Sequence, residues 1–232
     1  MLPRVSSRVL RPVWRSFTQR FIANAAAHVR KGGHAMVWRK GPSTPIAWML
    51  APCDAKGNIP ELSLWSMLAL EKSTYEVVTR GPAKGLAIMR IPRAYEQAVE
   101  EWCERDSMWT ETTRWVEFDC LECGACCRDN KVVLYDEDYA RWHAADRDDL
   151  AGRAYLRNEK GRVMLKLRRV EGKPCVHLLS DNKCHIYELR PFNCSSFPVG
   201  SEPCLESRRD GLKIVDGAPI LPREESYYPS RL

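Results

Sequence analysis

The chain has 232 residues, 44% of them apolar, and a formal net charge of +6 at neutral pH. This length and composition allow one large or two small domains with a hydrophobic core, and they exclude a disordered chain. Ten cysteines would suit a secreted scaffold, but the N-terminus shows no signal-peptide pattern and no apolar run is long enough to span a membrane. We therefore expect a cytoplasmic protein, in which clustered cysteines bind metals or act as redox thiols.

The positive charge is concentrated at the N-terminus. The chain has no acidic residue before Cys53, whereas this segment holds nine arginines and lysines. Apolar residues recur among the arginines at helical spacing, which predicts an amphipathic basic helix. The apolar positions are Val9, Val13, Trp14, Phe17 and Phe21. Such a helix could dock on its own domain, contact nucleic acid, a protein partner or an anionic membrane, or direct a eukaryotic chain to mitochondria.

Tryptophan is distributed unevenly along the chain. Seven of the eight tryptophans, Trp65 among them, precede residue 116, and only Trp142 follows it. We therefore predict a basic, Trp-rich N-terminal segment or domain over residues 1–116, a cysteine-cluster metal-binding domain over 117–205 and a C-terminal tail over 206–232. The fold class is α+β, with a small Cys-rich module following a mixed helix and strand segment.

The clearest element before the cysteines is a helix that begins at Pro92, a residue suited to the first helical turn. Its apolar face comprises Tyr95, Ala98, Val99, Trp102 and Cys103. We expect short strands at 47–50 and 85–90 before it. After the first cysteines, the pattern predicts a strand at 131–135, a helix that Asp136 caps, a strand at 163–170 and a short helix at 186–190 that Pro191 ends.

Eight of the ten cysteines fall between residues 120 and 204. They are Cys120, Cys123, Cys126, Cys127, Cys175, Cys184, Cys194 and Cys204. Zinc and iron–sulfur clusters both prefer thiolate ligands, and CxxC supplies two thiolates from one turn. The first three reproduce the C-x2-C-x2-C run of bacterial ferredoxins, but Cys127 follows at once, which breaks the ferredoxin spacing.

Adjacent side chains project in different directions, so Cys126 and Cys127 are poorly placed to bind the same small metal site. This argues for two metal centres, or for one cluster plus one spare thiol. Eight thiolates would form two four-sulfur sites, while seven would leave one position open. His177 and His185 flank the cysteines, and we expect them to surround the site rather than bind metal. Cys53 and Cys103 are not assigned to the site, since Cys103 falls on the apolar helix face.

Three blocks of sequence carry a family resemblance: FDCLECGACC at 118–127, PCVHL at 174–178 and CHIYELRPFNCSSFP at 184–198. They resemble the YkgJ-type cysteine-cluster family, whose pattern is CxxCGxCC, PCxxL and CxIYExRPxxCRxFP and which is described as zinc- or iron-chelating. The resemblance implies a metal-ligand role for the seven cysteines from Cys120 to Cys194. Cys204 lies beyond these blocks and is included for its spacing alone. Ser195 stands where the family usually has arginine.

Together these features predict a metal-chelating protein that binds zinc or iron, as single ions or as an iron–sulfur cluster. One alternative is an iron–sulfur redox or protein-modifying enzyme. Another is an adaptor that binds nucleic acid or protein and uses the metal as a structural clip. The chain has no phosphate-binding glycine loop, GxSxG motif or HExxH motif, so no catalytic residue is assigned.

Overall fold

The structure is a computed structural model that describes residues 6–40, 45–60, 74–128 and 131–214. Trp65 and the end of the predicted tail, 215–232, lie outside these ranges. Helices and strands together confirm the α+β class. The strands are β1 (Ser6–Pro12), β2 (Trp14–Thr18), β3 (His34–Lys40), β4 (Pro45–Ala51), β5 (Tyr75–Val77), β6 (Ala87–Arg90), β7 (Thr113–Asp119), β8 (Leu156–Glu159) and β9 (Arg162–Leu165). The α-helices are α1 (Ile22–Arg30), α2 (Arg93–Asp106), α3 (Cys120–Cys123), α4 (Asp136–Ala144), α5 (Phe192–Ser195) and α6 (Glu202–Leu212).

The N-terminal part is built on a five-stranded sheet with the strand order β2-β3-β4-β6-β5. Strands β2 and β3 are parallel, and α1 forms the crossover that a parallel pair needs. Helix α1 packs Ala25, Ala26 and Val29 against one sheet face. Helix α2 covers the other face, where Trp102 and Cys103 contact the core around Trp14, Met49 and Met89. The helix predicted from Pro92 is thus confirmed, with Pro92 as its N-cap.

The predicted basic helix over residues 9–21 is wrong, because most of this segment forms β1 and β2. Strand β1 pairs antiparallel with β7, from Ser6 opposite Asp119 to Pro12 opposite Thr113. Pro12 would break a helix here, since it lacks the N–H that a helix interior requires. The pairing partner lies about a hundred residues away, so helical spacing within the segment was a misleading signal.

The β1–β7 ribbon connects the sheet to the cysteine-rich part. Its buried side chains Val116 and Phe118 pack against Leu205 of α6, and the partly buried Cys120 and Cys204 border this small core. Strand β7 crosses the predicted boundary at 116/117, and α6 crosses the one at 205/206. The cysteines therefore follow directly from a strand whose partner is the N-terminal β1.

A buried ion network adds a second connection between the two parts. Glu202, at the start of α6, is 1% exposed. Its carboxylate accepts hydrogen bonds from Arg11 Nη2 at 2.5 Å, Arg105 Nη1 at 2.6 Å and Trp14 Nε1 at 3.1 Å. Buried charges are tolerated when they are paired in this way. Asp106, also buried, accepts from Arg105 and Arg114.

The cysteine-rich part has little regular structure beyond α4, α6 and the β8–β9 hairpin. Its core gathers Trp142, Leu150, Leu165 and Ile186. The strand predicted at 131–135 is wrong: Val133 makes only an isolated bridge to Met164. Helix α4 begins at Asp136 as predicted, but the side chain that accepts from the Tyr135 N–H is that of Asp138, because it can reach back one turn.

Two further elements are shorter than the sequence predicts. Strand β9 ends at Leu165 instead of residue 170, and the predicted helix at 186–190 is a single 3-10 turn over Tyr187–Leu189. Among the helices that the structure describes, none is both long and apolar enough to cross a membrane.

Candidate metal centre

The predicted ligand cysteines line two cavities that share part of their walls. The larger, of about 220 Å³, is lined by seven of them: Cys120, Cys123, Cys126, Cys127, Cys184, Cys194 and Cys204. The smaller, of about 40 Å³, is lined by Cys126, Cys127, Cys175, Cys184 and Cys194. All eight cysteines singled out from the sequence therefore line these two adjoining cavities.

The first four cysteines lie on a tight loop at the end of β7. The Asp119 carboxylate accepts from the N–H groups of Leu121 and Glu122 and so caps the short helix α3. Gly124 ends α3 with a φ of +59°, in the left-handed region. A Cβ at Gly124 would lie 2.7 Å from the Asn182 carbonyl oxygen. Glycine thus allows the cysteine loop to approach the turn before Cys184.

Backbone pairing places Cys175 and Cys184 against this loop. The Cys175 N–H donates to the Cys127 carbonyl at 2.7 Å. Cys184 forms an antiparallel bridge with Leu178. Cys175 and Leu178 belong to one short turn, since the Leu178 N–H donates to the Cys175 carbonyl. The hydrogen bond and the bridge therefore bring three cysteines close together although the sequence separates them by up to 57 residues.

Cys194 is positioned by polar contacts from helix α4. It lies in the short helix α5, whose first N–H, that of Phe192, donates to Asp138 Oδ1 at 2.7 Å. Trp142 Nε1 donates to the Leu189 carbonyl at 2.7 Å and fixes the preceding turn. Arg190, beyond that turn, packs over the Tyr187 ring at 3.7 Å and lines both cavities.

Helix α6 supplies Cys204 and a cation that the sequence reasoning missed. Ser201 caps α6, and its hydroxyl accepts from the Cys204 N–H at 3.3 Å. One turn later, Arg208 Nη1 lies 3.1 Å from the Cys123 sulfur and its guanidinium lies over the Phe118 ring. The sequence does contain a signal for Arg208: it lies four residues after Cys204, and this spacing places both side chains on one helix face.

Burial dominates the titration of most of the thiols. It raises the pKa of Cys194 and of Cys204 to about 12, and it also raises the pKa values of Cys120, Cys175 and Cys184. Cys126 differs: a hydrogen bond with the Cys127 thiol, helped by the charge of Arg190 and opposed by burial, lowers its pKa to about 7. The same hydrogen bond, together with burial, raises the pKa of Cys127.

The cysteines fall into two groups according to which other thiols lie close enough to affect the pKa of each one. Cys204 is affected by Cys126, Cys120 and Cys123. Cys194 is affected by Cys175, Cys126 and Cys184. Cys127, bonded to Cys126, also senses Cys175 and Cys184. The adjacent pair Cys126 and Cys127 therefore lies where the two groups meet.

The donor chemistry at this place fits a thiophilic metal. Soft thiolates suit zinc and iron, and Arg190 and Arg208 line the larger cavity, where they can offset thiolate charge. In the part of the chain that the structure describes, no group of three or more Cys, His, Asp or Glu side chains is already arranged to hold a metal ion. The thiols line the cavities without meeting at one point.

The other cysteines, the two histidines near the site and Ser195 lie in different surroundings. Cys103 is buried in the sheet core, where burial raises its pKa to about 12, and Cys53 is half-buried beside that core. His185 is exposed, whereas His177 is buried and burial lowers its pKa to about 4. Ser195, at the arginine position of the family pattern, lines the larger cavity and donates to the Phe192 carbonyl at 3.0 Å.

The fold and the site describe an α+β protein with a cysteine-lined pair of cavities. Residues 119–210 match the CxxCxxCC family model, described as "Putative zinc- or iron-chelating domain". This segment, about two fifths of the chain, is similar to CxxCxxCC domains, and the resemblance expected from the sequence is confirmed for it. The match includes Cys204, which lay beyond the motif blocks. Neither curated proteins nor solved structures gave a match.

Proposed function

We propose that this protein chelates zinc or iron through the cysteines between 120 and 204. The observation that carries the proposal is the larger cavity, which seven of these eight cysteines line together with Arg190 and Arg208. The description of the matching family as zinc- or iron-chelating supports the same chemistry. A metal ion would displace the protons of the ligand thiols, because ligand deprotonation and metal binding are coupled.

The eight cysteines serve two metal centres. The first centre uses Cys120, Cys123, Cys126 and Cys204, which are electrostatic neighbours. The second uses Cys175, Cys184 and Cys194, which are neighbours around the smaller cavity. Cys127 is the eighth candidate ligand and lies beside both groups.

In this proposal, Arg190 and Arg208 offset the negative charge of the thiolate ligands. Four thiolates around a divalent ion leave two excess negative charges, which are costly in a partly buried site. Arg208 donates to the Cys123 sulfur, and Arg190 lines both cavities. Each can therefore stabilise a thiolate-rich centre without binding the metal.

An iron–sulfur redox protein is the second candidate, and the contact from Arg208 to the Cys123 sulfur favours it. Hydrogen bonds to sulfur are one of the means by which proteins set the potential of such clusters. The adaptor alternative finds less support, since Arg11 is buried in the ion network and Arg15 donates to the Trp109 carbonyl. Contact with nucleic acid or a membrane, and a cytoplasmic location, remain predictions.

The test is to purify the protein without oxygen, record its visible absorption, and measure zinc, iron and labile sulfide per chain. We expect two metal centres in the wild-type protein. The double variants C123S/C204S and C175S/C194S should each lose one centre and keep the other, because each removes two ligands from one group. Cys53→Ser, at a half-buried cysteine outside both cavities, is the matched control.

Each outcome decides a different part of the proposal. A colourless protein with stoichiometric zinc rejects the redox candidate, while a brown protein with iron and sulfide rejects simple zinc chelation. A folded protein that takes up neither metal contradicts the function itself. If both double variants lose all metal together, the division into two centres is wrong.

A further inference from the structure

His177 is a buried side chain whose ring nitrogens have no hydrogen-bond partner. The residue is 1% exposed, and neither ring nitrogen, Nδ1 or Nε2, has a hydrogen-bond partner. Buried polar groups are almost always paired, and an exception calls for an explanation such as an ion or water. By contrast, Nε2 of the buried His28 contacts the Val13 carbonyl at 2.7 Å.

Neighbouring rings hold the imidazole of His177 in place but offer its nitrogens no hydrogen bond. It stacks on Tyr155, with ring centroids 4.7 Å apart and planes at 26°, and it contacts the His185 ring at 4.8 Å. The His177 carbonyl accepts from the His185 N–H at 3.1 Å. These contacts fix the position and plane of the imidazole and leave the nitrogen lone pair without a partner.

The same ring forms part of the wall of the smaller cavity, which thiols of the second group also line. Cys175, Cys184 and Cys194 line this cavity with it. Its volume of about 40 Å³ exceeds the roughly 10–15 Å³ that a single small occupant needs. Imidazole nitrogen and thiolate sulfur are the two donors that four-coordinate zinc sites combine most often.

We propose that His177 is a metal ligand, which supplies one imidazole nitrogen to the centre formed by Cys175, Cys184 and Cys194. This inference rests on the chelating function proposed above and deepens it, since the second centre becomes a mixed sulfur and nitrogen site. Cys127 is then not required in that centre and can remain hydrogen-bonded to Cys126.

The direct test is X-ray absorption at the zinc edge of the full-length protein loaded with zinc, which needs no variant. Nitrogen and sulfur ligands are distinguishable because Zn–N distances are about 2.0–2.1 Å and Zn–S distances about 2.3 Å. We expect a minor nitrogen shell beside the dominant sulfur shell. A shell of sulfur alone in a protein that does bind zinc overturns the role of His177 and leaves the proposed function intact. A protein that takes up iron instead is measured at the iron edge with the same criterion, whereas uptake of neither metal overturns both proposals.

Two variants identify which histidine supplies the nitrogen. His177→Gln should remove the nitrogen shell and weaken zinc binding at one centre by more than the roughly 10–100-fold typical of residues that only orient a ligand. His185→Gln, at the neighbouring exposed histidine, is the matched control and should keep the shell. If the shell disappears in His185→Gln, or persists in a folded His177→Gln protein, the assignment to His177 is wrong.

Discussion

The sheet and the cysteine-rich part reach a folded state by different means. In the sheet, β3 and β4 pair over six of their seven residues, and two apolar cores cover both faces. In the cysteine-rich part, the β8–β9 strands have four residues each, and the positions of the cysteines depend on isolated bridges and single polar contacts. The comparison teaches that the sheet can be stable through hydrophobic burial, whereas the cysteine-rich part needs a further source of stability.

Metal removal should produce the largest difference between the two parts, measured as protection from hydrogen exchange. Structural zinc contributes roughly 10 kcal/mol or more to the folding of small thiolate domains, so chelation should abolish most protection of residues 120–212. The strands β3 and β4 should keep theirs, because their core contains no candidate ligand. Hydrogen exchange with mass spectrometry, with and without a strong chelator, measures the difference. Equal loss of protection in both parts would contradict the comparison.

Replacing Glu202 tests the connection between the two parts. Glu202→Gln removes the charge that Arg11 and Arg105 share. Arg105 keeps its ion pair with Asp106, but the buried Arg11 loses its carboxylate, which costs about 3–5 kcal/mol. We expect a lower free energy of unfolding in denaturant titrations of the metal-loaded protein. Glu171→Gln, at an exposed position, is the control and should change little. A Glu202→Gln protein as stable as the control would show that the network is unimportant.

Gly124 offers a smaller and more local test within the cysteine-rich part. Gly124→Ala places a Cβ 2.7 Å from the Asn182 carbonyl oxygen, whereas Gly172→Ala has nothing within 4 Å. Both glycines have positive φ, so both substitutions carry about 1–2 kcal/mol of backbone strain. The clash should add about 1–3 kcal/mol only at Gly124. Urea denaturation and zinc titration of both variants check this, and equal effects would contradict the close approach.

The sequence was most informative where the signal was local. The eight cysteines could be singled out by spacing and motif, and all of them line the two cavities. Helix α2 could be predicted because its apolar face repeats within fourteen residues after Pro92. In both cases the neighbours along the chain carry the whole pattern.

The failures share a physical cause, since each depends on partners far away in the chain. The strand state of residues 6–12 is decided by β7, and the burial of Glu202 is decided by Arg11 and Arg105. Arg208 was missed because its contact with Cys123 spans 85 positions. The unsatisfied nitrogens of His177 become visible only when its whole surroundings are known.

The β1–β7 ribbon also has a consequence for the order of folding. Its strands are separated by about a hundred residues, which include the five-stranded sheet, and pairing strands so distant in the chain is slow. The ribbon ends with Ser6 opposite Asp119, the residue before Cys120. On a ribosome, the N-terminal strand must therefore wait for its partner, whereas Cys204, assigned above to the first proposed centre, emerges 84 residues after Cys120. The ribbon can therefore close before the ligand set of that centre is complete.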